Sequence, residues 1–312
     1  MRVIRPQALR KRGTIGIISP ASPQRDSSRL YRGISYLESL GYHVKLGKYA
    51  LATHGKYLAG TDKQRADDVN SMFSDPQIDA IFCARGGYGC ARLLPLLDYT
   101  SIRKNPKVFV GFSDVTSLQL ALWKRCRLIT FSGAMPSVDM ADTFDGRSEE
   151  QFWRVITSRR PLGSLKQPWP LRAIQHGDAE GILLGGNLSV LTSILGTPYM
   201  PGLRGSILAL EDIGEATYRV DRMLTQLALA TVRSRPAGVL YGFWSQESRD
   251  RGSTPHRDVN EVLEERLDLT RGPVMADVMY GHESTKFTLP FGVTCRIRSG
   301  KREMSLTQAA VE

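Results

Sequence analysis

Short apolar runs rich in β-branched residues recur along the chain, and each is followed by a stretch whose apolar positions fall three or four residues apart. The first pattern reads as buried strand and the second as amphipathic helix. Strands are expected at 14–18, 42–46, 78–83, 108–110 and 128–131, with helices at 28–40, 61–73, 90–97 and from Val115 through Leu122. Gly41 supplies a helix stop, and Thr61 or Asp62 a helix cap. Beyond residue 178, strands are expected at 181–184, 207–210, 237–241, 274–278 and 291–297. Helices fall between them, one running through Leu195, one at 216–229 and one at 257–267. Strands alternating with helices argue for an α/β fold built on parallel sheet. Arg159, Arg160, Pro161, Pro168 and Pro170 interrupt the pattern. The expected domains are therefore 1–160, a linker at 161–178, and 179–312.

The chain of 312 residues can bury two cores. No apolar run reaches the length of a membrane span, so no membrane partner is expected. The apolar run at 15–18, behind the basic Arg5, Arg10, Lys11 and Arg12, is too short for an export signal and is broken by Pro20 and Pro23. A cytoplasmic protein is expected. Cys83, Cys90, Cys126 and Cys295 show neither metal-ligand nor disulfide spacing and read as buried thiols. The net charge of +11 raises nucleic acid as a partner. Its cations are scattered, however, with small clusters at 10–12 and 296–302 and no basic stripe interleaved with aromatics. Attraction of small anions, or solubility, accounts for the charge as well, and no nucleic-acid partner is expected.

Candidate chemistry gathers where the carboxyl ends of parallel strands should lie. Ser113 follows the strand 108–110 and precedes a helix, in Gly111-Phe-Ser-Asp-Val115. A sharp strand-to-helix turn presents a hydroxyl beside free N–H groups, which suits a nucleophile that forms an oxyanion. The stretch lacks the final glycine of G-x-S-x-G, and a plain helix cap explains Ser113 too. Serine needs a base. Among the five histidines, His43, His54, His176 and His256 have plain contexts. His282 follows an apolar strand and a glycine, which fits either a base or a hydrogen-bonded loop residue. A base histidine needs a carboxylate, and Glu211 closes an apolar strand where a charge must be paired. Asp212 and Glu215 are its neighbours and competitors. Gly86, Gly87 and Gly89 form a turn that is either an anion cradle or simply tight.

Taken in order, Ile18-Ser-Pro-Ala-Ser22, Tyr57-Leu-Ala-Gly-Thr61, Arg85-Gly-Gly-Tyr-Gly89, Gly111-Phe-Ser-Asp114, Gly185-Gly-Asn-Leu188, Leu210-Glu-Asp-Ile-Gly-Glu215 and Gly281-His282 make a specific set. It resembles the L,D-carboxypeptidases, the serine peptidase group that also holds the microcin C self-immunity peptidases. The likeness runs from about residue 14 to about residue 297. It implies an N-terminal Rossmann-like domain, a C-terminal α/β domain with barrel-like character, an active site at the domain interface, a homodimer, and no metal or cofactor. It also implies a triad of Ser113, Glu211 and His282, with backbone N–H groups of Asp114 and Gly87 as oxyanion donors. The implied substrate is the murein tetrapeptide of cell-wall recycling, which loses its terminal D-Ala. Arg85, Glu215 and Arg219 are candidates for the charged groups of such a peptide. An aminoacyl-nucleotide, as in processed microcin C, is the alternative substrate, with Phe243-Trp244 as a platform for the base. A two-domain protein that binds peptide without cutting it is the alternative of another class.

Overall fold

The computed structural model describes residues 2–142, 144–245 and 257–312. His256 lies outside them. The chain divides into two compact units. Unit 1 comprises Met1–Arg160, Phe287–Gly292 and Ala309–Glu312, and unit 2 comprises Pro161–Lys286 and Val293–Gln308.

Unit 1 is built on β1 (Thr14–Ile18), β2 (His43–Leu46), β3 (Ala80–Cys83), β4 (Val108–Gly111), β5 (Thr130–Ser132) and, late in the chain, β12 (Leu289–Phe291). Their order is β12-β5-β4-β3-β1-β2, parallel except for β12. β3 and β4 are buried along their whole length, as continuous apolar strands in a covered parallel sheet should be. The chain lays β2 on one side of β1 and β3 on the other. Ligands of such sheets sit outside the carboxyl ends at this reversal. Its helices are α1 (Ser27–Ser39), α2 (Asp62–Ser74), α3 (Tyr99–Lys104), α4 (Thr116–Cys126) and α5 (Gly146–Thr157). Thr61 caps α2 in a capping box with Gln64.

Three expectations change here. The helix expected at 90–97 is a 3-10 turn over Cys90–Leu96, because Pro95 has no N–H to donate. α3 and α5 were not anticipated. Asp98 and Asp145 cap them, and α5 buries Phe152, Val155 and Ile156 on one face. The strand expected at 291–297 is two strands, broken at Gly292 (φ +106°). β12 joins unit 1 beside β5, and the strand Thr294–Arg298 joins unit 2.

Unit 2 holds β6 (Gly163–Ser164), β7 (Arg172–Gln175), β8 (Asp178–Asn187), β9 (Ser206–Ile213), β10 (Gly238–Ser245), β11 (Val274–Ala276), β13 (Thr294–Arg298) and β14 (Glu303–Leu306). Its order is β6-β14-β13-β8-β9-β10-β11-β7, with β8 to β11 parallel. Among the described residues no pairing joins β6 to β7, so the sheet is open where barrel-like character was expected. Its helices are α6 (Leu188–Ser193), α7 (Thr217–Thr231) and α8 (Val259–Glu265). The stretch expected as a linker belongs to this sheet. β7 satisfies its backbone against β11, and Gly177 N–H donates to Ser299 Oγ at 2.8 Å. No helix among the described residues is long and apolar enough to cross a membrane.

Candidate active site

Ser113 lies where β4 gives way to a 3-10 turn, Ser113–Val115, that runs into α4. Phe112 is extended, and Ser113 then adopts φ +62°. That region is strained for a residue with a β-carbon, and such strain gathers at functional sites. Gly111 makes the bend possible, because a β-carbon there would lie 2.4 Å from Val115 Cγ1. The N–H groups of Ser113 and Asp114 open the turn and so have no partner within it.

The glycine turn is fitted against this elbow. A β-carbon on Gly86 would lie 2.8 Å from Ser113 Cβ. One on Gly87, at φ +122°, would lie 2.3 Å from Ser22 Oγ, which accepts from the Tyr88 N–H at 3.1 Å. Two side chains hold the arrangement. The buried Asp114 carboxylate accepts from the Cys90 N–H at 2.8 Å, tying the elbow to the far end of the glycine turn. Burial pushes the Asp114 carboxyl above its ordinary range. Arg65, 1% exposed, donates to the carbonyls of Pro20 and Gly89 and pairs with Asp62 at 2.6 Å. Sequence reasoning missed both roles. Arg65 lies within the helix expected at 61–73, and its burial is a signal that only tertiary structure supplies. Arg85, half-buried, donates to the Pro23 carbonyl at 3.3 Å. Burial, with Arg25 and Arg29 nearby, lowers its pKa.

In unit 2 the structure brings Glu211 and His282 together. His282 Nδ1 lies 2.7 Å from Glu211 Oε2, and Glu211 is fully buried. Glu211 sits within β9, opposite Asn187 of β8. The register between β9 and β10 slips between Tyr241 and Trp244, so two residues, Gly242 and Phe243, face the single Glu211. Bulges of this kind re-aim side chains at sites. Here the bulge receives the segment carrying His282. Phe243 N–H donates to the Tyr280 carbonyl at 2.7 Å, and a β-carbon on Gly242 would lie 2.0 Å from that oxygen. Gly281 follows at φ +151° against Phe243.

Asp212 points away from Glu211, as alternate strand residues do. It accepts from Asn187 Nδ2 at 2.8 Å and from the N–H groups of Ser189 and Ile213, each at 2.9 Å. It thus anchors the start of α6 and does not compete for His282. Burial pushes its pKa to about 6. Glu215 and Arg219 face each other at 3.6 Å at the start of α7, where Arg219 also lies against Tyr218. Phe243 sits against Trp169 and Trp244 against Tyr241, with ring centres 5.8 Å and 6.0 Å apart. The four cysteines are buried and free. Among the described residues no cluster of three or more His, Cys, Asp or Glu side chains could hold a metal.

The domain profile described as LD-carboxypeptidase N-terminal domain matches residues 15–133, and the LD-carboxypeptidase C-terminal domain profile matches residues 180–297. The chain belongs to the LD-carboxypeptidase family and is an enzyme of the serine carboxypeptidase type. A Bacillus subtilis protein named "Probable murein peptide carboxypeptidase" is 36% identical, over 96% of this chain and 92% of that protein. The murein tetrapeptide carboxypeptidase of Pseudomonas aeruginosa is 31% identical, over 93% and 94% of the two chains. Among solved structures, a mutant of the microcin C7 self-immunity protein MccF in complex with adenosine monophosphate aligns with TM-score 0.90 at 27% identity, covering 99% of this chain and 100% of that one. A muramoyltetrapeptide carboxypeptidase from Oxalobacter formigenes aligns with TM-score 0.80 at 32% identity, covering 94% and 97%.

Proposed function

We propose that this enzyme removes the terminal D-Ala from the murein tetrapeptide L-Ala-D-Glu-meso-diaminopimelate-D-Ala, with Ser113, His282 and Glu211 as its triad. The observation that carries the triad is the 2.7 Å contact between His282 Nδ1 and a fully buried carboxylate. The substrate is supported by the names of the relatives from B. subtilis, P. aeruginosa and O. formigenes.

Glu211 Oε2 offers lone pairs, so Nδ1 donates to it and Nε2 is the ring nitrogen that acts as the base. Nε2 takes the Ser113 proton as Oγ attacks the carbonyl of the diaminopimelate residue. The N–H groups of Asp114 and Gly87 receive the oxyanion, each worth on the order of a hundredfold in rate. His282 then gives its proton to the departing D-Ala nitrogen. Water, deprotonated by the same nitrogen, cleaves the acyl-enzyme and frees Ser113. Arg85 is assigned the terminal carboxylate, since guanidinium pairs bidentately with carboxylate. Glu215 and Arg219 are assigned to the zwitterionic diaminopimelate end. The reading includes a cytoplasmic homodimer acting in peptidoglycan recycling, which sedimentation and cell fractionation test.

The deciding experiment is D-Ala release from the tetrapeptide. Wild type releases it. Ser113→Ala and His282→Ala each lose a factor on the order of 10⁵ or more in kcat, and Glu211→Gln loses less because the imidazole keeps part of its orientation. A wild type that releases none sinks the murein assignment. The second reading, an aminoacyl-nucleotide substrate, draws on the likeness to MccF with adenosine monophosphate, and cleavage of such a nucleotide in place of the tetrapeptide establishes it.

A further inference from the structure

At the opposite end of the unit 2 sheet from Glu211, where β9, β10 and β11 begin, a cavity of about 570 Å³ opens among Arg204, Arg233, Arg235 and Arg271, with Val232 and Pro236 as apolar wall. Among the described residues no acidic side chain lines it. None of the four arginines is paired with a carboxylate among the described residues. Arg235 Nε is buried there without a hydrogen-bond partner among the described residues. An unsatisfied buried donor on a cation is costly, so an anion is the natural partner.

The loops that carry these cations are fixed to one another. Arg204 donates to the Arg233 carbonyl at 2.8 Å, and Gly205 N–H to the Arg235 carbonyl at 3.3 Å. Thr270 Oγ1 donates to the Pro236 carbonyl at 2.8 Å. Gly272 passes so close that a β-carbon would lie 1.8 Å from the Ala237 carbonyl oxygen. The cations are therefore presented from a braced frame, which lowers the ordering entropy of binding.

We infer that this cavity is a binding site for an organic phosphate carrying two or more negative charges. Guanidinium forks match tetrahedral oxyanions bidentately. The volume exceeds what a bare phosphate fills, and the wall formed by Val232 and Pro236 accommodates an apolar portion. The site stands apart from the peptidase chemistry and does not depend on the identity of the peptide.

Calorimetric titration of the full chain with inorganic pyrophosphate at low salt tests it. One equivalent binds, and affinity falls as salt is added. Arg233→Gln with Arg271→Gln, two exposed positions whose exchange leaves the fold intact, weakens binding at least about tenfold. Arg2→Gln with Arg147→Gln removes the same charge from exposed positions of unit 1 and leaves binding within about twofold. Absence of binding at millimolar pyrophosphate, or equal weakening by both pairs, overturns the inference. The latter would mark attraction by net charge alone.

Discussion

Ser113 carries its strain whether or not it reacts. At φ +62° a residue with a β-carbon is disfavoured by about 1–2 kcal/mol relative to glycine. Ser113→Gly is therefore expected to be inactive yet more stable than wild type by about that amount, and Ser113→Ala inactive with no such gain. Urea unfolding of the three proteins checks this. Asp212 has a different signature. Burial raises its carboxyl from 3.8 to about 6, so the folded chain holds that proton more tightly than the unfolded chain. Its contribution to stability is fully present below about pH 4 and is lost as pH rises through about 6, on the order of 3 kcal/mol in all. Asp212→Asn removes this slope. Its stability relative to wild type should improve between about pH 4 and about pH 8, and parallel denaturation curves at the two values would refute the argument.

At the scale of elements, the device that seats the segment carrying His282 is the bulge of β10 at Gly242 and Phe243. Gly242→Ala places a methyl 2.0 Å from the Tyr280 carbonyl oxygen, a backbone atom that cannot swing aside. The expected result is a loss of about 1–3 kcal/mol of stability with a fall in kcat, as the segment from Tyr280 to His282 is displaced. A variant with wild-type kcat would show that the bulge does not position His282. This device was not legible in the sequence, since a two-for-one register leaves only glycines that serve equally as turns. The strands themselves were legible because a covered parallel sheet demands continuous apolar runs. Glu211 stood out as a charge at the end of one such run, and His282 as a histidine after another. The helix expected at 90–97 is a 3-10 turn because apolar pattern does not report the N–H that Pro95 lacks. The strand at 291–297 was read whole because apolar pattern does not report which sheet a residue joins.

For the whole molecule, the sequence pattern proposes a boundary near residue 160 and does not foresee the returns. Unit 1 takes back 287–292 and 309–312 after the chain has built most of unit 2. β12 covers the β5 edge with Leu289 and Phe291, both fully buried, and Gln151 clamps Thr288 through two hydrogen bonds. Glu312 and Ala309 bond to the segment at 5–8. A fragment of residues 1–160 is therefore expected to expose a bare strand edge, melt well below the intact protein and aggregate. Restoring 286–292 through a flexible linker should recover solubility, as circular dichroism melts would record. The same threading bears on inheritance. A single genetic crossover near residue 160 would hand one parent's unit 1 the other parent's β12 and C-terminus. The two units can exchange between lineages only when those borrowed segments still fit, so their sequences are bound to change together.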